Sequence, residues 1–102
     1  MSLIAIYVPF PDREEAIKFS DGILSEKLIA CYNLSEVESS YWWQGNIERN
    51  WEVVGLLKTK KEYWEKVKNR VLELHSYNIP CILKFEIEAN DEYTKWVFEQ
   101  LH

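Results

Sequence analysis

Only two cysteines, Cys31 and Cys81, occur in the 102 residues. That is too few for a disulfide framework, and no CxxC pairs them, which excludes a closed structural zinc site of the usual spacing. Glycine is almost as scarce, at three residues. None sits in GxGxxG or P-loop spacing, so a phosphate-cradling loop is excluded too. No apolar run approaches the ~20 residues that a membrane-spanning helix needs. The run Leu3–Val8 is too short for a signal-peptide core and follows no charged segment. Basic residues are outnumbered, 12 against 17 acidic, for a net charge of −5. They are scattered rather than striped, which argues against nucleic acid as a partner. These absences predict a cytoplasmic protein with reduced thiols that meets neither nucleic acid nor membrane.

What the sequence has in excess is apolar and aromatic surface. Hydrophobic residues make up 47% and aromatics 15%, with five Trp and six Tyr. A chain this short buries only about 60–65% of its unfolded surface. Part of the aromatic load is therefore expected to cover a subunit interface, where Trp and Tyr are enriched.

The pattern along the chain predicts β-α-β-β-α-β and a last helix, in one domain over 1–102. Leu3–Val8 is a continuous apolar run ended by Pro9 and Pro11, as in a strand buried on both faces. Asp12 and Glu15 form a capping box, and Ala16, Ile17, Ser20, Ile23, Leu24 and Leu28 repeat at helical spacing. Extended stretches follow over Leu28–Leu34 and Val37–Trp43. Gln44-Gly45-Asn46 is the turn into a strand over Ile47–Thr59, a long hairpin. Lys60–Leu74 is helical with Trp64, Val67, Val71 and Leu74 on one stripe. Asn78-Ile79-Pro80 breaks the chain. Cys81–Ala89 alternates, with Leu83, Phe85, Ile87 and Ala89 expected against the helices and Cys81 in the core with them. Asn90 or Asp91 caps a helix carrying Tyr93, Trp96, Val97 and Leu101.

This order is the α+β ferredoxin-like split βαβ sandwich, with an extended hairpin and a C-terminal helix. Right-handed crossovers put both main helices on one sheet face and leave the other uncovered. The first strand is apolar on both sides. The third carries Val53 and Leu57 on one side and Val54 and Leu56 on the other. An uncovered apolar face of that size implies a partner surface, and self-association is its simplest form.

Soft metal-ligand chemistry has two candidates, Cys31 early in a strand and His75 just past a helix. Thiolate plus imidazole suits copper. Each also has a plain reading: Cys31 as a small buried apolar residue, and His75 as a helix-end residue favoured by the macrodipole. Glu52, next to Trp51 at a strand entry, stands apart from the carboxylates on solvated faces and is the third candidate ligand. Its plain reading is an exposed hairpin residue. No Ser-His-Asp spacing stands out, so an enzyme is not expected. The segment Ser39–Gly45, with Tyr41, Trp42 and Trp43, suits a subunit contact better than a ligand platform.

Several segments together resemble the CutA family of divalent-cation tolerance proteins. They are Lys27-Leu28-Ile29-Ala30-Cys31, Ser40-Tyr41-Trp42-Trp43-Gln44-Gly45-Asn46-Ile47, Glu52 leading to Leu57-Lys58-Thr59, His75-Ser76-Tyr77-Asn78-Ile79-Pro80, and Tyr93 with Trp96. The resemblance spans nearly the whole chain. It implies a tight homotrimer with hairpins extending onto neighbours, divalent-metal binding (notably copper), and no catalysis. The family shares its trimeric plan with the PII regulators. By that analogy Lys58, Tyr41, Trp43, His75 and Tyr77 would line an inter-subunit cleft for a small anion or metabolite. A purely structural trimeric scaffold is the third reading. The chain departs from the family at Ser76, where Pro is usual, which is expected to loosen the turn holding His75. Tyr32, where a small aliphatic is usual, is expected to crowd Cys31.

Overall fold

The structure, a computed structural model, describes residues 1–102. Its elements are β1 (Leu3–Phe10), α1 (Arg13–Ser25), β2 (Cys31–Trp43), β3 (Asn46–Lys60), a 3₁₀ turn (Lys61–Tyr63) running into α2 (Trp64–Leu74), β4 (Leu83–Ile87) and α3 (Asp91–Gln100). The four strands form one antiparallel sheet in the order β2-β3-β1-β4, the expected split βαβ topology.

Local chemistry accounts for the boundaries. The Asp12 carboxylate accepts from the Glu15 backbone N–H at 2.9 Å, so α1 starts there. Glu15 does not return the bond. Its carboxylate accepts from the Ser76 backbone N–H instead, at 3.1 Å, so the capping box is only half made. The helix ends with Lys27 at φ 61° and the Leu28 N–H bonded to the Ile23 carbonyl, a left-handed close of the Schellman type. The β2–β3 hairpin turns on two residues, Gln44 (φ 51°) and Gly45 (φ 83°), with Trp43 opposite Asn46. Two positive φ values match the right-handed strand twist, and Gly adopts them without steric cost.

Alternation along β1 divides the sheet into two faces. Ile4, Ile6, Val8 and Phe10 join Val53 and Leu57 of β3 under Ala16, Phe19 and Ile23 of α1 and Val67 and Val71 of α2. Each fully buried aliphatic or aromatic side chain here contributes about 1.5–3 kcal/mol. The second face was expected bare. It is covered at one end by α3, where Val97 packs with Leu3 and Ala30.

The face assignment of β4 is a correction. Register places Ile6 opposite Lys84 and Ala5 opposite Phe85, so Leu83, Phe85 and Ile87 lie on the second face, not against α1 and α2. Lys84 and Glu86 take the helix side, where the Lys84 ammonium lies 5.4 Å from the Trp64 ring and Glu86 pairs with Lys61 at 3.6 Å. At a sheet edge such stems cover apolar surface while their heads stay in water. Cys81 precedes the strand and is exposed, not in the core.

β1 ends opposite Val53, so the hairpin beyond Glu52 has no strand beside it on that flank. The overhang stretches the molecule to 45 × 23 × 21 Å. The overhang leaves Trp42 72%, Trp51 65% and Ile47 63% exposed.

Candidate functional site

Two clusters lie on or beside the second sheet face, and the register keeps them apart. The first is built where β1 ends. There the segment after α2 folds back over the strand, and the His75 side chain is fully buried. Its ring stacks on Phe10 with centroids 4.9 Å apart and planes inclined by 15°. The Tyr77 backbone N–H donates to Nδ1 at 3.0 Å, which leaves Nε2 to carry the proton and donate to the Pro9 carbonyl at 2.7 Å. Both imidazole nitrogens are thus committed to backbone partners. Ser76 ties this turn down through its N–H to Glu15, a bond that proline has no hydrogen to make, so the turn is not loosened as expected.

Tyr77 reaches from the same turn to β3, where its phenol donates to Glu52 Oε2 at 2.8 Å. Burial first, and then the bonded carboxylate, raise the Tyr77 phenol above the usual tyrosine range. Glu52 is only 8% exposed and has no cationic partner in the chain. Its exposed-hairpin reading is overturned. Register pairs Tyr41 of β2 with Glu48, on the hairpin face that also carries Glu52, and the Tyr41 hydroxyl accepts from Asn50 Nδ2 at 2.8 Å.

The second cluster sits under α3. Cys31 is half-buried, with Sγ 3.1 Å from the Tyr93 hydroxyl. The Tyr93 phenol is pushed up to about 12, by burial first and then by the neighbouring thiol. Tyr93 packs against Trp96 with centroids 5.7 Å apart and planes inclined by 32°. Lys58, directly opposite Cys31 on β3, donates to Asn33 Oδ1 at 3.0 Å and lies 5.9 Å from the Tyr93 ring. Tyr32 does not crowd the thiol. Neighbours on a strand point to opposite faces, and its hydroxyl instead donates to Asp21 of α1 at 2.5 Å.

The expected ligand set is therefore dispersed. Cys31 aligns through Lys58 with Ala5, whereas His75 is bonded to Pro9, four residues and ~13 Å along β1. No three His, Cys, Asp or Glu side chains gather in a way that could hold a metal ion. The cleft set is split too: Tyr77 and Tyr41 belong with Glu52, Lys58 with Cys31, and Trp43 stands at the hairpin tip. Tyr93 and Glu15 were not singled out as site residues. The Tyr93–Trp96 segment of the resemblance was the only pointer to the first, and nothing in the sequence pointed to the second.

The sequence matches the family model described as CutA1 divalent ion tolerance protein over residues 4–100. The chain belongs to the CutA1 family. A divalent-cation tolerance protein CutA of Pyrococcus horikoshii is 43% identical over 99 residues, 96% of this chain and 97% of the relative. The crystal structure of CutA1 from Pyrococcus horikoshii superposes with a TM-score of 0.94 at 42% identity, covering 97% of this chain and 98% of the other. A CutA structure from Archaeoglobus fulgidus, described as the periplasmic divalent cation tolerance protein, has a TM-score of 0.94 at 35% identity, covering 98% and 99%. A CutA protein of Oryza sativa, described as chloroplastic, is 31% identical over 96 residues, 92% of this chain and 54% of the relative. These two descriptions correct the cytoplasmic expectation, because CutA1 proteins occupy other compartments. Cysteine count and charge pattern bear on redox chemistry and partners, not on residence. The family is named for cation tolerance rather than for a catalysed reaction.

Proposed function

We propose that the protein is a homotrimer that binds a divalent cation, copper foremost, as cargo, and that it is not an enzyme. The observation that carries the metal reading is Cys31: a half-buried thiol at the end of the second sheet face that α3 covers, held beside the Tyr93 hydroxyl at 3.1 Å. A thiolate is the soft donor that copper prefers. One chain supplies no second soft donor there, since His75 has both nitrogens bonded and lies at the other end of β1. The remaining ligands come from another copy or from the cation's own carrier. Self-association is supported by the overhanging hairpin, whose Trp42, Trp51 and Ile47 are bare in the single chain. The anion-cleft reading has weaker support, because within one chain Lys58 stands apart from Tyr41 and Tyr77.

The test is copper titration of the wild type, Cys31→Ser and His75→Gln, with subunit mass measured in parallel. Binding lost in Cys31→Ser and kept in His75→Gln is the expected result. Equal binding in wild type and Cys31→Ser overturns the metal assignment. A wild type that stays monomeric at micromolar concentration overturns the assembly.

A further inference from the structure

Glu52 is only 8% exposed, its one side-chain hydrogen bond is to the Tyr77 phenol, and no cation of its own chain lies beside it. A buried carboxylate in that position is costly unless a positive group completes its surroundings. On the same face of β3 stands the partly exposed Lys58. Its ammonium rests on the neutral Asn33 amide and beside the Tyr93 ring, with no carboxylate in reach. Both residues belong to the even-numbered set of β3 with Val54 and Leu56, the set that faces away from α1 and α2. Six residues separate them, ~20 Å of extended strand, so they cannot meet within one chain.

We infer that Glu52 of one copy is neutralised by Lys58 of the next, so that the Tyr77–Glu52 site is complete only across the interface. This rests on the self-association proposed above. A patch with its carboxylate at one end and its ammonium at the other is complementary to a second copy placed head to tail. That is a heterologous arrangement, which closes into a ring when the rotation between copies divides a full turn. The hairpin overhang that carries Glu52 at its base has no strand of its own chain beside it, which leaves room for the neighbour. Charge pairing of this kind sets register and partner choice as well as affinity.

The experiment is a charge-swap and neutralisation series read as the subunit dissociation constant from light scattering over a dilution series. Glu52→Lys and Lys58→Glu each place like charges together and are expected to weaken assembly on the order of a hundredfold. The double swap restores it. Rescue cannot arise inside one chain, given the separation along β3. Should Glu52→Lys fail to fold, Glu52→Gln and Lys58→Met form a neutral cycle. Each single variant then weakens assembly, and the double variant is no worse than the weaker single. Losses that multiply in the neutral cycle, or a double swap as dissociated as its parents, overturn the pairing while leaving a trimeric wild type intact. A monomeric wild type overturns the assembly itself, and this inference with it.

Discussion

Replacing Tyr77 by Phe isolates one bond. The ring stays in place against His75, whose centroid lies 4.7 Å away, so the apolar contact is kept. Only the hydroxyl that donates to Glu52 at 2.8 Å is removed. A hydrogen bond to a charged acceptor contributes about 1.5–3 kcal/mol. Tyr77 is half-buried rather than enclosed, so water replaces part of the loss, and about 1–2 kcal/mol is expected. For a domain of this size that lowers the unfolding midpoint by about 5–10 °C, compared at equal protein concentration. The effect carries a pH signature. The Tyr77 phenol is raised above its unfolded value of 10.0, by burial first and by Glu52 second. Folding therefore favours the protonated phenol. This contribution is complete below about pH 10 and is lost as pH rises through the higher folded value. The gap between wild type and Tyr77→Phe should thus narrow from pH 8 to pH 11, although Tyr32 and Tyr93, raised in the same direction, still weaken both proteins there. Denaturant unfolding at the two pH values measures it. A gap under about 0.3 kcal/mol at pH 8, or one that stays constant to pH 11, would refute the bond as drawn.

Three further substitutions probe the frame. Ile6→Ala empties a fully buried site between β1 and the helices and should cost about 2–5 kcal/mol in equilibrium unfolding; a loss below 1 kcal/mol would mean that the helix face is not packed as described. Asp12→Ala removes the cap on the Glu15 N–H and should cost about 1 kcal/mol, whereas Asp12→Asn should retain most of it. Gly45→Val forces a β-branched residue to φ 83° and should cost at least about 1 kcal/mol, with the extra exchange of hairpin amides seen by hydrogen exchange; unchanged protection there would contradict the turn assignment.

Much of this architecture was legible from residue pattern alone. The continuous apolar run of β1 has both faces occupied, and Asp12, Gln44-Gly45 and Asn78-Ile79-Pro80 punctuate the chain where elements begin or end. The error in β4 has a definite cause. A period of two says that Leu83, Phe85 and Ile87 share a face, but which face depends on pairing Ile6 with Lys84, and register is a property of the assembled sheet. The site was legible as residue types and not as a constellation. Cys31 and His75 were reasonable soft donors, yet antiparallel pairing carries one to Ala5 and the other to Pro9. Glu52 was open to two readings, a ligand or an exposed hairpin residue, and its burial could not be read because it depends on a turn 25 residues away. The role of Glu15 in holding that turn depends on Ser76 offering an N–H where proline has none.

Native mass spectrometry of copper-loaded protein, with Cys31→Ser beside the wild type, reads assembly and metal together. The account predicts a wild-type species at about three times the 12.2 kDa chain mass that carries bound copper, and a Cys31→Ser species of the same subunit number that carries none. A metal-free wild type, copper retained equally by both proteins, or a lone 12.2 kDa chain would contradict it.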